Sequence, residues 1–161
     1  MMAQCCQKLG EYDAALEQFE RANRIYGTVQ GEHSLRFAWT LTSVAQCWRQ
    51  KGKPATALET LIRCKDIQAA KLGETHTAVA RTLTTMGQCC HQLNEADRAI
   101  GLLEQSLSIY AAAVGEAHPE YAMTLLSLAH CRMAKREFPA AVKHLARCER
   151  IFLAALSPEH P

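Results

Sequence analysis

The cluster best equipped for chemistry in this sequence is Cys89-Cys90-His91. Thiolate and imidazole groups are preferred zinc ligands, but a zinc site needs ligands that converge, usually as two spaced pairs. The spacing of apolar residues around the cluster predicts a helix, in which neighbouring side chains point about 100° apart. The three residues therefore cannot chelate one ion from one helix face. Packing of a small apolar side chain is the favoured interpretation of Cys89, and metal binding or redox use is the alternative.

The remaining reactive side chains form no recognisable catalytic pattern. The seven histidines are scattered, and His76, His118 and His160 share one recurring position beside a predicted helix start. A role in starting the helix and packing the turn explains them better than catalysis. The sequence contains no glycine-rich phosphate loop, no paired carboxylates and no spacing typical of a catalytic triad. We therefore predict no catalytic residue, no metal and no cofactor, and no enzyme activity in this chain.

The elements that carry these residues recur along the sequence with a fixed period. Three segments of 42 residues follow one another without a gap and keep one residue type at ten positions. Residues 1–30 match the later part of the same unit, and residues 157–161 match the beginning of another. A period of about 20 to 50 residues is the signature of a solenoid, in which each unit buries its apolar face on its neighbours. We expect a single array of repeats 31–72, 73–114 and 115–156, with a partial repeat before them, cut from a longer protein.

Each repeat is predicted to form two helices. Apolar residues at helical spacing follow Ser34, which is a plausible N-cap, and continue to Lys51. Pro54 suits the first turn of a second helix, which runs to about Lys71 and stops at Gly73. We call the two helices of a repeat its first and second helix. The first helices are expected at about 1–9, 34–51, 77–93 and 119–136.

Composition fits packed helices in a reducing compartment. Apolar residues make up 48 % of the chain and aromatic residues only 6 %. Eight cysteines could suggest disulfides, but a disulfide needs Cα atoms within about 7 Å, whereas equivalent residues of stacked repeats lie ~8–10 Å apart or more. With no signal peptide and no apolar stretch of about 18 residues, we expect a cytoplasmic chain that does not contact a membrane. Because 18 basic residues face 16 acidic ones without a run of like charge, we also expect no nucleic-acid partner.

Within each repeat the residues follow the tetratricopeptide pattern. In the first full copy it consists of Leu41-x2-Val44-Ala45-x2-Trp48, followed by Ala57-x3-Leu61. The 42-residue length and the turn Gly115-Glu116-Ala117-His118-Pro119 resemble the longer repeat of kinesin light chains and nephrocystin-type proteins. The resemblance implies an all-α fold, a right-handed superhelical solenoid of antiparallel helix pairs, and a role in protein recognition. The asparagine and lysine set with which some family members clamp a terminal carboxylate is not reproduced, since Gln46, Gln88 and His130 stand where asparagine would be expected.

In tetratricopeptide arrays the first helices line the concave surface, and here their charge is biased. The four predicted first helices contain one acidic residue, Glu120, and eight basic ones. We interpret the bias as a mildly basic, amide-rich groove for an extended acidic peptide. The alternative is that bases near helix C-termini, such as Lys51 and Lys135, only compensate the helix dipole. The predicted groove residues are Trp39, Thr42, Gln46, Arg49, Arg81, Thr84, Gln88, His91, Met123 and His130.

Together these features predict a scaffold or adaptor module that binds a protein or peptide. No small-molecule substrate is expected. One competing hypothesis is an accessory positioning or regulatory domain of a larger enzyme whose catalytic domain lies outside this chain. Another is a purely structural spacer, which would show no preference in its groove.

Overall fold

The computed structural model describes residues 11–156, in which seven α-helices follow one another and no strand occurs. This confirms the all-α prediction. No helix in this range is long and apolar enough to cross a membrane. The helices are α1 Tyr12–Gln30, α2 Leu35–Gln50, α3 Pro54–Leu72, α4 Thr77–Gln92, α5 Ala96–Ala113, α6 Pro119–Ala134 and α7 Phe138–Leu156. The first helices are therefore α2, α4 and α6, and the second helices are α1, α3, α5 and α7.

The first helices start at the side chains that the sequence indicated. The hydroxyl of Ser34 accepts a hydrogen bond from the backbone N–H three residues further on, at 3.3 Å. The Nδ1 atoms of His76 and His118 accept from the N–H two residues further on, at 3.1 and 3.2 Å. Each contact satisfies an N–H group that a helix start otherwise leaves without a partner. The prediction that these two histidines serve helix starts is confirmed, and His160 lies outside the described residues.

The turn between the first and second helix uses a left-handed backbone in every full repeat. Gly52, Asn94 and Arg136 occupy the same slot and have φ angles of 73°, 62° and 61°. Glycine and asparagine adopt this conformation readily, whereas arginine does so at a cost. The same left-handed turn therefore occurs in all three helix pairs, although the residue that adopts it differs.

The chain divides into two compact units, with the boundary between Glu74 and Thr75. In the first unit α1 packs on α2, and α2 packs on α3. One face of α2 contributes Val44 and Cys47 to a core with Ala15, Leu16 and Phe19 of α1. Another part of α2 contributes Phe37, Ala38 and Leu41 to a core with Cys64 and Ile67 of α3.

The second unit repeats this arrangement with four helices. Helix α4 packs on α5, α5 on α6 and α6 on α7, and α4 also contacts α6. The closest described approach is at Gly87 of α4, where an added Cβ atom would lie 2.8 Å from Cγ of Leu103 on α5. Leu103 is fully buried, so it has no free space to move into. The two helices can therefore pack this closely only because Gly87 has no side chain.

Candidate functional site

The first helices are almost free of negative charge in the structure as well. No acidic residue lies in α2 or α4, and α6 contains only Glu120, in its first turn. A carboxylate approaching these helices therefore meets little repulsion from them.

In the first unit the predicted site residues lie on α2. The ring of Trp39 is 50 % exposed, although most large apolar side chains of this helix are buried. Arg49 and Gln46 are half-buried. The Nε atom of Arg49 is buried and finds no acceptor, and the guanidinium forms no ion pair within residues 11–156. The hydroxyl of Thr42 donates to the carbonyl of Ala38 on its own helix at 3.2 Å and lies 3.2 Å from Sγ of Cys64 on α3, so it already contacts the partner helix.

In the second unit the predicted residues lie on two neighbouring helices. On α4, Arg81 is exposed and His91 is half-buried, while Nε2 of Gln88 donates to Ser127 of α6 at 3.0 Å. On α6, Met123 is 47 % exposed and His130 is exposed. The hydroxyl of Thr84 lies 2.8 Å from Ser106 Oγ on α5 and 3.1 Å from Thr124 Oγ1 on α6. The Gln88 contact thus places α4 and α6 side by side, while the Thr84 hydroxyl is already used inside the unit.

Three of the basic residues counted toward the groove have acidic partners. Lys51 pairs with Asp13 of α1, and Lys135 pairs with Asp97 of α5. Arg132 of α6 donates to Glu104 at 2.8 Å and to Glu137 at 2.6 Å, and these hydrogen bonds raise its pKa. Among the residues that the structure describes, Arg36, Arg49, Arg81 and Arg136 form no ion pair.

The pairs made by the two lysines are equivalent and lie 84 residues apart, which is twice the repeat length. Each joins the end of a first helix to the first turn of the preceding second helix. Neighbouring repeats, which are 42 residues apart, do not share these residues, so the relation does not appear at the single repeat length. A comparison at double the period would have found it. The repeat between them has neither partner, because the two slots hold Ala55 and Leu93.

A second set of contacts recurs at the same interval. In repeat 31–72, Arg63 pairs with Glu32, and its guanidinium lies 4.9 Å from the ring centroid of Phe37. In repeat 115–156 the same slots hold Arg147, Glu116 and Tyr121, with a guanidinium-to-ring distance of 5.2 Å. The middle repeat has Glu74, Val79 and Gln105 in these slots, so neither the cation nor the ring is present. Neighbouring repeats thus differ in chemistry, while alternate repeats agree.

The cysteines of the described residues, including Cys89 and Cys90, are buried between packed helices. All six cysteines of residues 11–156 are buried thiols, and burial raises the pKa of Cys131 to about 11. Cys89 and Cys90 are completely buried, whereas His91 is half-buried. Within residues 11–156, no three His, Cys, Asp or Glu side chains are grouped so that they could hold a metal ion. Cys5 and Cys6 lie outside the described residues.

Comparison with known proteins identifies the repeat. Two family models, each described as a tetratricopeptide repeat, match residues 36–112 and residues 1–28, which together are more than half of the chain. No curated protein sequence matches the chain. Among solved structures, BtubC (BKLC) from P. vanneervenii is similar with a TM-score of 0.85 at 25 % identity, over 99 % of this chain and 63 % of that one. The chain therefore spans less than two thirds of the length of BtubC.

A second similar structure is a Podosopora anserina protein with nearly identical TPR-like repeats, named for the kinesin light chain. It has a TM-score of 0.81 at 23 % identity, over 99 % of this chain and 76 % of that one, and this likeness concerns the fold. The helix pairs, the fixed period and the two family matches agree. The chain belongs to the tetratricopeptide repeat family and is an all-α repeat solenoid that resembles the kinesin light chain.

Proposed function

We propose that this protein-interaction repeat module is a scaffold or adaptor that binds extended acidic segments of a partner protein along its first helices. The observation that supports the proposal best is the combination of first helices almost without acidic residues and two arginines, Arg49 and Arg81, without ion pairs in the described range. The proposal gives the chain no catalytic step and places it in the cytoplasm, where thiols stay reduced.

Arg49 is the stronger of the two candidate anchors. Its Nε atom is buried and meets no acceptor in the described structure. Buried donors in native proteins are nearly always hydrogen-bonded, so this atom favours an incoming acceptor. A carboxylate can accept from Nε and a terminal nitrogen of one guanidinium together, which is the strongest pairing available to arginine.

The other predicted residues supply weaker, complementary contacts. Arg81 is exposed on α4 and can pair with a second carboxylate. The carbonyl oxygen of the Gln88 amide can still accept from a peptide N–H while Nε2 donates to Ser127. Trp39 and Met123 offer exposed apolar surface near these polar groups on their own helices. Because exposed charges act mainly on encounter and are screened, binding should weaken as salt concentration rises.

The test is a peptide array probed with the wild-type chain and with Arg49→Glu/Arg81→Glu. The expected result is selection of acidic peptides by the wild type and loss of that selection in the variant. The matched control is Arg21→Glu/Arg150→Glu, which makes the same charge change at two exposed arginines of the second helices. Equal loss of acidic-peptide selection in both variants would show that the net charge of the chain, and not the position of the arginines, determines the preference. Unchanged binding by the first variant, or a wild-type preference for basic peptides, would refute the proposal.

A further inference from the structure

The second unit contains the one acidic residue of the described first helices, Glu120, and it stands opposite Arg81. The hydrogen bond from Gln88 to Ser127 joins α4 to α6 with an offset of 39 positions, and the contact between the threonine hydroxyls of the same helices has an offset of 40. Arg81 and Glu120 are also 39 positions apart and lie seven residues before Gln88 and Ser127. Residues seven apart return to the same helix face after about two turns. The two charged residues therefore occupy facing positions at the start of α4 and α6.

No ion pair joins these two residues, although their charges are opposite. Arg81 and Glu120 are both exposed, and neither forms an ion pair with any residue in the range 11–156. A carboxylate at a facing position of the neighbouring helix is the kind of acceptor that a guanidinium pairs with most strongly. The absence of this pair indicates that the carboxylate of Glu120 has another partner.

That partner is Tyr110, which lies near the end of α5. The backbone carbonyl of Tyr110 accepts hydrogen bonds from Val114 and Gly115, at 2.9 and 3.1 Å, where the helix ends. Because a short turn joins α5 to α6, this end of α5 lies beside the first turn of α6, which carries Glu120. The side chain of Tyr110 is buried, with only 2 % exposure. The phenol is therefore fixed by packing close to the start of α6.

The electrostatics of the Tyr110 hydroxyl show that both charges act on it. Burial raises the pKa of this hydroxyl, and the negative charge of Glu120 raises it further. The positive charge of Arg81 lowers the pKa, whereas the hydrogen bond between the hydroxyl and the Glu120 carboxylate raises it. A hydrogen bond from a largely buried phenol to an ionised acceptor stabilises more than an ion pair between two exposed groups. Glu120 therefore gains more from Tyr110 than from Arg81.

The three residues occur together in one place of the described repeats. In the preceding repeat the slots of Arg81, Tyr110 and Glu120 hold Trp39, Gln68 and Ala78. The repeat 84 positions earlier keeps the tyrosine, as Tyr26, but has Arg36 in the slot of Glu120. Among the described repeats, the acid is thus present only where the arginine and the tyrosine accompany it, which supports a joint role.

We propose that Tyr110 is a positioning residue of the acidic-peptide groove: its hydroxyl holds the carboxylate of Glu120, and Arg81 thereby stays available to a carboxylate of the partner. The inference rests on the proposed function, in which Arg81 binds the partner. It extends the groove to a residue of a second helix. It also explains why one acidic residue is compatible with a surface that binds acids.

The first experiment measures binding of an acetylated and amidated peptide of six glutamates to the 161-residue chain by calorimetry. Tyr110→Phe removes the hydroxyl alone and leaves Glu120 free to pair with Arg81. Binding should weaken about threefold, which is the size of an exposed ion pair. The matched control Tyr26→Phe makes the same change in the equivalent slot and should bind as the wild type does. Equal affinities of Tyr110→Phe and the wild type would overturn the proposal.

A second variant separates the position of the carboxylate from damage to the packing. Tyr110→Phe/Glu120→Gln replaces the carboxylate by an amide, which cannot form an ion pair with Arg81. This protein should bind the hexaglutamate peptide at least as tightly as the wild type. If it binds as weakly as Tyr110→Phe alone, the loss comes from disturbed packing of the phenol, and the assigned role of Tyr110 is wrong.

A measurement on the free chain separates this inference from the proposed function. Exchange of the Arg81 Nε–H proton with water, followed by ¹⁵N NMR, should slow in Tyr110→Phe, because the new ion pair shields the proton. The rate should stay at the wild-type value in Tyr26→Phe and in Tyr110→Phe/Glu120→Gln. If the wild type does not bind the hexaglutamate peptide, the acidic-peptide proposal fails, and this exchange rate still decides the role of Tyr110. An unchanged rate in Tyr110→Phe would refute that role.

Discussion

The hairpins α2–α3 of the first unit and α4–α5 of the second have the same 42-residue frame and different chemistry where their helices touch. In the first hairpin Ala45 and Leu61 occupy the slots that Gly87 and Leu103 occupy in the second, and both leucines are fully buried. The second hairpin leaves no room for a Cβ atom at Gly87. A buried leucine therefore faces alanine in one hairpin and glycine in the other, and a residue that fits one repeat can clash in the next.

The polar contact inside each hairpin shows the same adjustment. In the first, the Sγ atom of Cys64 donates to the carbonyl of Ala38 at 3.1 Å. In the second, the hydroxyl of Ser106 donates to the carbonyl of Ala80 at 2.8 Å. Sulfur is the larger atom and the weaker donor, and the contact is correspondingly longer. Equivalent positions thus keep the hydrogen bond although the donor atom differs.

The largest effect on stability should come from placing the alanine of the first hairpin at the equivalent position of the second. Gly87→Ala is expected to lower the free energy of unfolding by about 1–3 kcal/mol, because the new methyl group overlaps Leu103. This outweighs the gain from alanine as the better helix former. Urea unfolding followed by circular dichroism measures the change.

The reciprocal variant Ala45→Gly serves as the control. It creates no overlap and should cost about 2 kcal/mol, from the lower helix propensity of glycine and the loss of a fully buried methyl group. A neutral or stabilising Gly87→Ala would show that the hairpins can adopt one common spacing, which contradicts the comparison.

A smaller effect is expected from removing the polar contact in the second hairpin. Ser106→Ala should destabilise by about 1–2 kcal/mol, since it leaves the buried carbonyl of Ala80 and the hydroxyl of Thr84 with fewer partners. Ser108 lies on the same helix and is exposed, so Ser108→Ala should stay within about 0.5 kcal/mol of wild type. Identical unfolding midpoints for the two variants would show that the buried hydrogen bond does not stabilise the second hairpin.

The smallest effect should come from the ion pair that distinguishes alternate repeats. Arg63→Gln installs the residue of the middle repeat and should cost less than about 1 kcal/mol, because both partners are largely exposed. The loss should shrink as salt is added, since salt screens the wild-type pair. Thermal unfolding of both proteins at low and high salt tests this, and a cost that does not change with salt would assign the effect to packing on Phe37 instead.

Sequence alone predicted the features that depend on neighbouring residues. Ser34 caps a helix, Pro54 lies in the first turn of the next, and Gly73 ends it with a φ of 91°. Each is a local preference of the backbone that needs no distant partner. The buried cysteine slot was also predictable, because a small apolar residue recurs wherever two helices approach closely.

Features that depend on the register between helices were not predictable in this way. The sequence leaves Lys51 as either a groove residue or a dipole partner, whereas the structure pairs it with Asp13, which is 38 positions away. Thr42 is predicted to line the groove, and its hydrogen bond to the carbonyl of Ala38 depends on a rotamer that sequence does not specify. The remaining predicted groove residues stay a prediction until peptide binding is measured.

The ion pairs that recur at 84 residues have a consequence for how such a chain can change its length. Removing residues 31–72 would join α1 to α4, which is followed by Leu93, so a leucine would occupy the position of Lys51, the partner of Asp13. Removing residues 31–114 would instead bring Lys135 to the position of Lys51 and restore the pair. A deletion of two repeats would therefore keep this ion pair, whereas a deletion of one repeat would lose it. For protein engineers, the pair of repeats is the unit that preserves these surface contacts, although each contact contributes less than about 1 kcal/mol.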